Sequence, residues 1–415
     1  MSTLASQLLS GDTLQSGAAN KRLGRMFLAL GVLGLAAGVF LGMAEGDDLR
    51  HFFHAYLVGY AFILTIALGG LFFVIIQHLT NAHWSVTVRR LAEFVTASLP
   101  WVGVLGLPLL YPVFSHAGVE EYGGLLWPWI HPHGDHAALI EKKSAWLNPT
   151  FFAGRVLVYF LIWAAMGTYF VRKSFAQDSA APGDYSPTLA AKKLSAPGVI
   201  LFALSLTFAA FDLLMSLDPA WFSTIFGVYI FAGSVIAIFS WLILTALFMQ
   251  RTGRMQSAVT VEHYHDLGKF LFAFVFFWGY IAFSQYMLIW YGNIPEETLW
   301  FAHRQTEAWM PVSWFLVVGH FIIPFAGLLS RHVKRRLTVL GFWAAYMLVV
   351  HWVDLYWLVM PALDHEALHL GVLDVATSVG LIGLFAAALC RIAGDRPLVP
   401  VNDPLLGDCL SFKNI

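Results

Sequence analysis

Residues 53–78 read FHAYLVGYAFILTIALGGLFFVIIQH, twenty-six positions without one Lys, Arg, Asp or Glu. A helix rises about 1.5 Å per residue, so about 20 apolar residues cross a hydrocarbon layer roughly 30 Å thick. Inside lipid the backbone must satisfy its own polar groups, which favours a helix for such a run. Nine more stretches have the same character: 23–43, 87–114, 150–173, 197–217, 220–249, 263–291, 307–330, 337–361 and 369–393. The expectation is an all-α integral membrane protein with about ten transmembrane helices. Composition agrees. The 415 residues are 59% hydrophobic and 12% charged, against about 25% charged in soluble domains.

Around these spans the sequence divides into an N-terminal segment 1–22, spans 23–173, an Ala/Ser/Pro-rich stretch 174–196 read as a linker, spans 197–393, and a tail 394–415. The spans near 197–217 and 220–249 are separated by Asp218-Pro219 and are expected to form a tight hairpin. The first twenty or so residues are polar and lack the apolar core of a cleavable signal, so the run from Leu23 is expected to remain as an anchor. With an N-terminus inside, one side receives Lys21, Arg22, Arg89, Arg90, Arg172, Lys173, Lys192, Lys193, Arg251, Arg254 and the basic run Arg331 to Arg336. The other side receives Arg50, Lys142, Lys143 and Arg304. The Lys/Arg bias places both termini in the cytoplasm. The tail carries Pro397, Pro400 and Pro404 and is expected to run extended along a neighbour.

Several functions are set aside by composition. A net charge of -1 creates no broad field for nucleic acid. Two cysteines, Cys390 and Cys409, are too few for an iron–sulfur cluster. No C-x-x-C-H occurs, so no covalent c-type haem is expected. His320 and His351 could in principle ligate a b-type haem, but no helix offers two histidines well inside its span.

Ionisable groups inside a span are costly and face a bundle interior or water. Here they recur at several depths. The fifth span carries Asp212, and Asp218 closes its end. The seventh opens with His265, Asp266 and Lys269, the last two sharing a face. The eighth holds His320. The ninth holds His351 and Asp354 one turn apart. Carboxylates and imidazoles can pass protons near neutral pH. The functional reading is a proton path with His265, Asp266 and Lys269 at its inner mouth. His320 and His351 would lie in the middle, with Asp354, Asp212 and Asp218 towards the outer side. The competing reading makes them paired polar groups joining helices.

Weaker candidates surround this set. His78 and His83 lie at the inner end of the second span, beside Trp84. With Asp212 they are the positions considered for a quinone carbonyl, although interfacial anchoring explains the two histidines as simply. The tract His131-Pro-His-Gly-Asp-His136 has metal-binding composition, but no second ligand cluster accompanies it, so no metal site is assigned. Trp221-Phe222, Trp290-Tyr291 and Tyr356-Trp357 stand near span ends and read as aromatic belts. No catalytic residue is assigned.

Several motifs are shared with a known family. They are Phe211-Asp-Leu-Leu-Met-Ser-Leu-Asp-Pro-Ala-Trp-Phe-Ser223, Asp266-Leu-Gly-Lys269, Phe283-Ser-Gln-Tyr-Met-Leu-Ile-Trp-Tyr-Gly-Asn-Ile-Pro-Glu-Glu297, His320-Phe-x-x-Pro-Phe325, Leu-Ser-Arg331 and Asp403-Pro404. Together, over about 23–410, they resemble the NrfD-like membrane subunits of the polysulfide-reductase type. The likeness is to the smaller of the two homologous membrane subunits of alternative complex III. The resemblance implies ten helices with two four-helix bundles plus peripheral helices. It implies a place in a respiratory quinol:cytochrome c or electron-acceptor oxidoreductase of the bacterial inner (cytoplasmic) membrane. Haems and iron–sulfur clusters would lie in partner subunits. Those partners would be a larger homologous membrane subunit, multihaem cytochrome c subunits and an iron–sulfur protein, with a terminal oxidase or soluble cytochrome c as acceptor and lipid around them. The role implied for this subunit is support of proton translocation, with quinone binding as the alternative. A basic residue is expected after Asp403-Pro404, where Leu405 stands. An independent secondary transporter is the remaining reading, disfavoured by few mid-span Gly/Pro breaks.

Overall fold

The computed structural model describes residues 14–15, 18–115, 117, 124–132 and 137–414. Ten helices are long and apolar enough to span: α1 Asn20–Glu45, α2 Arg50–Leu79, α3 Val86–Phe114, α4 Pro149–Asp178, α5 Ser186–Leu217, α6 Phe226–Arg251, α7 Val261–Gly292, α8 Met310–Leu329, α9 Leu337–Ala362 and α10 Val372–Ala393. No strand occurs among the described residues. The chain is a multi-pass, all-α membrane protein.

Helices α2 to α5 form one four-helix bundle and α6 to α9 a second, joined where α2 packs on α6 and α9. Burial follows this plan. α2 lies at the junction and is buried nearly along its whole length, which its all-round apolar sequence allows. α1 and α10 pair outside the bundles. Small residues let their backbones touch: a Cβ at Gly380 would lie 2.6 Å from the Leu35 nitrogen.

Three expectations change. The stretch 174–196 is mostly helical, with a connection reduced to 179–185. Pro187 occupies the first turn of α5, where its missing N–H has no partner to lose, and Pro197 is carried inside the helix. The α5–α6 hairpin is not tight but uses residues 218–225. Trp221 in that connection stacks on Trp300 at 4.4 Å, so burial of an indole holds it open. Trp221, Tyr356 and Trp357 are packed inside the protein, while Phe222, Trp290 and Tyr291 remain exposed as belt residues would.

The C-terminal tail docks on this chain's own basic face. Asp403 accepts from Arg89, which also pairs with Glu93 at 3.1 Å, and Arg90 reaches Asp178 at 2.8 Å. The short helix Leu406–Leu410 follows, and it buries Cys409. The thiol donates to the Trp84 carbonyl at 3.2 Å and lies 3.3 Å from His263 Nε2. Burial pushes the Cys409 thiol up from its usual range. Since the thiolate is the nucleophile, Cys409 in a Cys390→Ser background is expected to react slowly with maleimide and to speed up as pH rises. Asp403→Ala leaves Arg89 short of one carboxylate and frees the tail, so labelling at fixed pH should rise at least about tenfold. Equal rates in the two proteins would show that the ion pair does not hold the tail.

Candidate functional site: a buried His–His–Asp cluster

The centre of the second bundle gathers three of the eight ionisable groups singled out by sequence. His351 and Asp354, three residues apart, share one face of α9. His320 comes from α8. Each offers one ligating atom, and the three atoms lie within 4.8 Å of one another. All three side chains are buried.

Local sequence explains how His320 gets there. Pro324 has no N–H, so the carbonyl four residues back, that of His320, loses its helical partner. The turn Leu316–Ile322 relaxes into a π-helix, a widened form frequent at functional positions. The carbonyl of Gly319 in that turn accepts from Tyr346 Oη at 2.8 Å. On α6, Gly233 makes room for His351: a Cβ there would come within 2.7 Å of the ring.

Second-layer groups fix the carboxylate and one imidazole. Tyr229 donates its hydroxyl to Asp354, and Trp278 Nε1 donates to the other carboxylate oxygen at 3.2 Å. The Trp278 ring also packs on the His320 ring, centroids 3.7 Å apart. Thr65 of α2 gives its hydroxyl hydrogen to the Phe62 carbonyl at 2.9 Å and lies 2.9 Å from His351 Nε2. Among the described residues, both His320 nitrogens and His351 Nδ1 lack a hydrogen-bond partner. That is unusual, because buried polar atoms are normally paired.

The other candidates lie elsewhere. Asp212 is fully engaged in the first bundle. Arg155 grips it with two contacts of 2.8 Å, Tyr159 donates at 2.8 Å and Trp146 at 3.0 Å. Asp218 sits in the α5–α6 connection, 3.9 Å from His303. Lys269 pairs with Asp266 near the surface and reaches Asn414 at 2.8 Å. His265 is buried beside them. Between Lys269 and Trp278, α7 carries the apolar run Phe270 to Phe277, and Asp266 and Trp278 are about 18 Å apart along the helix. His78 is buried and stacks on Phe170 at 5.9 Å, while His83 is exposed and touches Phe412. His133, Asp135 and His136 lie outside the described residues.

A cavity of about 400 Å³ abuts the cluster. Tyr229 and Trp278, the two donors to Asp354, stand in its wall, and Gln285, Ser313, Arg304 and Trp357 continue it. Arg304 donates to the carbonyls of Trp300, Trp357 and Leu358 and stacks on Trp300 at 3.6 Å. Burial pushes the Arg304 guanidinium down to about 9, with Asp218 and Tyr229 opposing that fall. It therefore remains charged at neutral pH.

Tyr229 and Trp278 were not legible as site residues, because aromatics in a span read as packing. Thr65 did leave a signal. It is the one hydroxyl or charged side chain between Tyr60 and Gln77 in α2. The class of molecule defined by this arrangement is a multi-pass α-helical membrane protein with two histidines and an aspartate gathered inside its second bundle. No family model and no curated protein matches the chain.

Proposed function

We propose that this chain is a cofactor-free membrane subunit of a respiratory quinol:electron-acceptor oxidoreductase of the alternative complex III type, and that His320, His351 and Asp354 exchange protons within it. It would lie in the bacterial cytoplasmic membrane with both termini inside, as the charge bias favours. The observation that carries the proton reading is the cluster itself. Groups serving only to join helices would be paired with one another, as Arg155 and Asp212 are. Here two imidazoles and a carboxylate lie together with three nitrogens left without partners among the described residues. Such an arrangement accepts and releases a proton with little movement of heavy atoms.

The motifs around 211–223 and 266–297 support the place in a larger complex. In that setting electron transfer belongs to haem and iron–sulfur partners, and this subunit contributes acids and bases in the membrane. A quinone at His78 and His83 has less support. Neither residue lines the 400 Å³ cavity or the apolar one of about 280 Å³ in the first bundle.

Affinity purification of the tagged chain in mild detergent tests the assembly. The expected result is a stoichiometric complex with a multihaem c-type cytochrome, an iron–sulfur protein and a larger homologous membrane subunit. A chain that purifies alone and binds a solute would favour the transporter reading instead.

A further inference from the structure

The lone pairs at the cluster can be accounted for atom by atom. The Thr65 hydroxyl lies 2.9 Å from both the Phe62 carbonyl and His351 Nε2. With its one hydrogen on the carbonyl, its oxygen accepts from His351 and the imidazole hydrogen sits on Nε2. His351 Nδ1 is left as a bare lone pair with no donor among the described residues. Asp354 takes one hydrogen on each oxygen, from Tyr229 and Trp278, and keeps further lone pairs. Neither His320 nitrogen has a hydrogen-bond partner among the described residues. Three buried groups with unused lone pairs thus lie within 4.8 Å of one another, an arrangement that suits a cation.

From this geometry we infer that His320, His351 Nδ1 and Asp354 form a site for one divalent transition-metal ion of the zinc and cobalt class, with a fourth position open. Two imidazoles with one carboxylate select that class over magnesium or calcium, which prefer oxygen. Metal–ligand bonds of about 2.0–2.1 Å need donor atoms about 3.3 Å apart. The present spread of up to 4.8 Å must therefore close. His320, whose ring makes no hydrogen bond among the described residues, would have to supply that movement against its packing on Trp278. The outer layer that metal sites use is already in place: Thr65 and the Phe62 carbonyl hold His351, and Tyr229 and Trp278 hold Asp354. The 400 Å³ cavity has those same two donors in its wall and is the entry route this site would use. Arg304 also lines it, so a cation enters against one positive charge and loading is slow.

The site stands apart from the proton reading, since it needs only the ligand geometry. If both hold, proton and metal compete for the same lone pairs, and a bound ion stops exchange there.

The test uses the intact chain, in its complex where one forms, stripped with a chelator and then incubated at length with Co²⁺. The expected result is one cobalt retained per chain through desalting, with the visible absorption of a four- or five-coordinate ion, bleached one for one by Zn²⁺. His320→Gln and His351→Gln should each lower retention at least about tenfold. Thr65→Val leaves all three ligands and should weaken binding roughly 10- to 100-fold. This guards against misfolding of the ligand variants. Histidines at 131–136 supply a background, which the His320→Gln protein measures. Wild type retaining no more cobalt than His320→Gln would overturn the site, as would a bound ion whose spectrum and affinity ignore Thr65→Val. Proton movement is measured on stripped protein, so each reading can fail without the other.

Discussion

Arg155→Met is expected to destabilise the protein by about 3–5 kcal/mol, the range for removing one partner of a buried ion pair. Asp212 is fully buried, and among the described residues its guanidinium partner is the one cation that touches it. Tyr159 and Trp146 would still donate to the carboxylate, but two neutral donors do not offset an uncompensated charge among apolar helices. The guanidinium also lies 4.1 Å from the Trp146 ring and 4.3 Å from Phe151, so its loss loosens the approach to α4 as well. The measurement is thermal unfolding in detergent beside the amount of chain recovered from membranes. Adding Asp212→Leu removes the orphaned charge and should restore much of the loss, since replacing both partners is far milder than replacing one. A single variant that melts with wild type would show that the pair is not needed. The double variant bears on function too. If Asp212 only joins α4 to α5, proton movement should survive once the fold is restored.

That contrast between two buried carboxylates shows where sequence reading reaches and where it stops. The ten spans were readable because each exceeds the length that lipid demands, and α2 needed nothing more than its unbroken apolar run. Span limits failed where local chemistry hid them. Pro187 and Pro197 made the start of α5 look like a linker, yet one proline occupies a harmless first turn and the other is absorbed mid-helix. In the site, His320, His351 and Asp354 were all marked by their cost inside a membrane. Their convergence was not, because it depends on the rotation of α8 against α9 and on the widened turn ahead of Pro324. Asp212 looked equivalent to Asp354 on the same grounds. What separates them is a partner 57 residues away in sequence, Arg155. Spacing within one helix could not reveal it.

The bundle plan gives the cluster a further property. α6 and α9 of the second bundle pack on α2, the common wall of both bundles. Thr65 on α2 reaches His351 across that wall. A shift of one bundle against the other would therefore alter the hydrogen bond that fixes the His351 tautomer, and with it the acceptor available to His320 and Asp354. On the proposed function, this contact is a place where movement between bundles would be felt by the group that exchanges protons.

Asp354→Asn is expected to lower proton movement coupled to quinol oxidation at least about tenfold while the complex still assembles and still passes electrons. The substitution keeps the size of the side chain and one acceptor oxygen, so Tyr229 retains its bond. The amide NH₂ now meets Trp278 Nε1, donor against donor, at a cost of about 1–3 kcal/mol. A well-buried protein of this size should tolerate that. What cannot survive is the exchange itself, since an amide neither takes nor releases a proton at neutral pH. Tyr229→Phe provides the comparison. It removes one hydrogen bond yet leaves the carboxylate, so its effect on proton movement should be several-fold smaller. Lys269→Met should fall below both, because Lys269 is half-exposed at the surface and separated from the cluster by the apolar run Phe270 to Phe277. Vesicles containing the purified complex, a pH-sensitive dye and quinol turnover measured together give all three values. Proton movement at the wild-type rate in an assembled Asp354→Asn complex would remove the cluster from the path and leave it a structural or metal-binding feature.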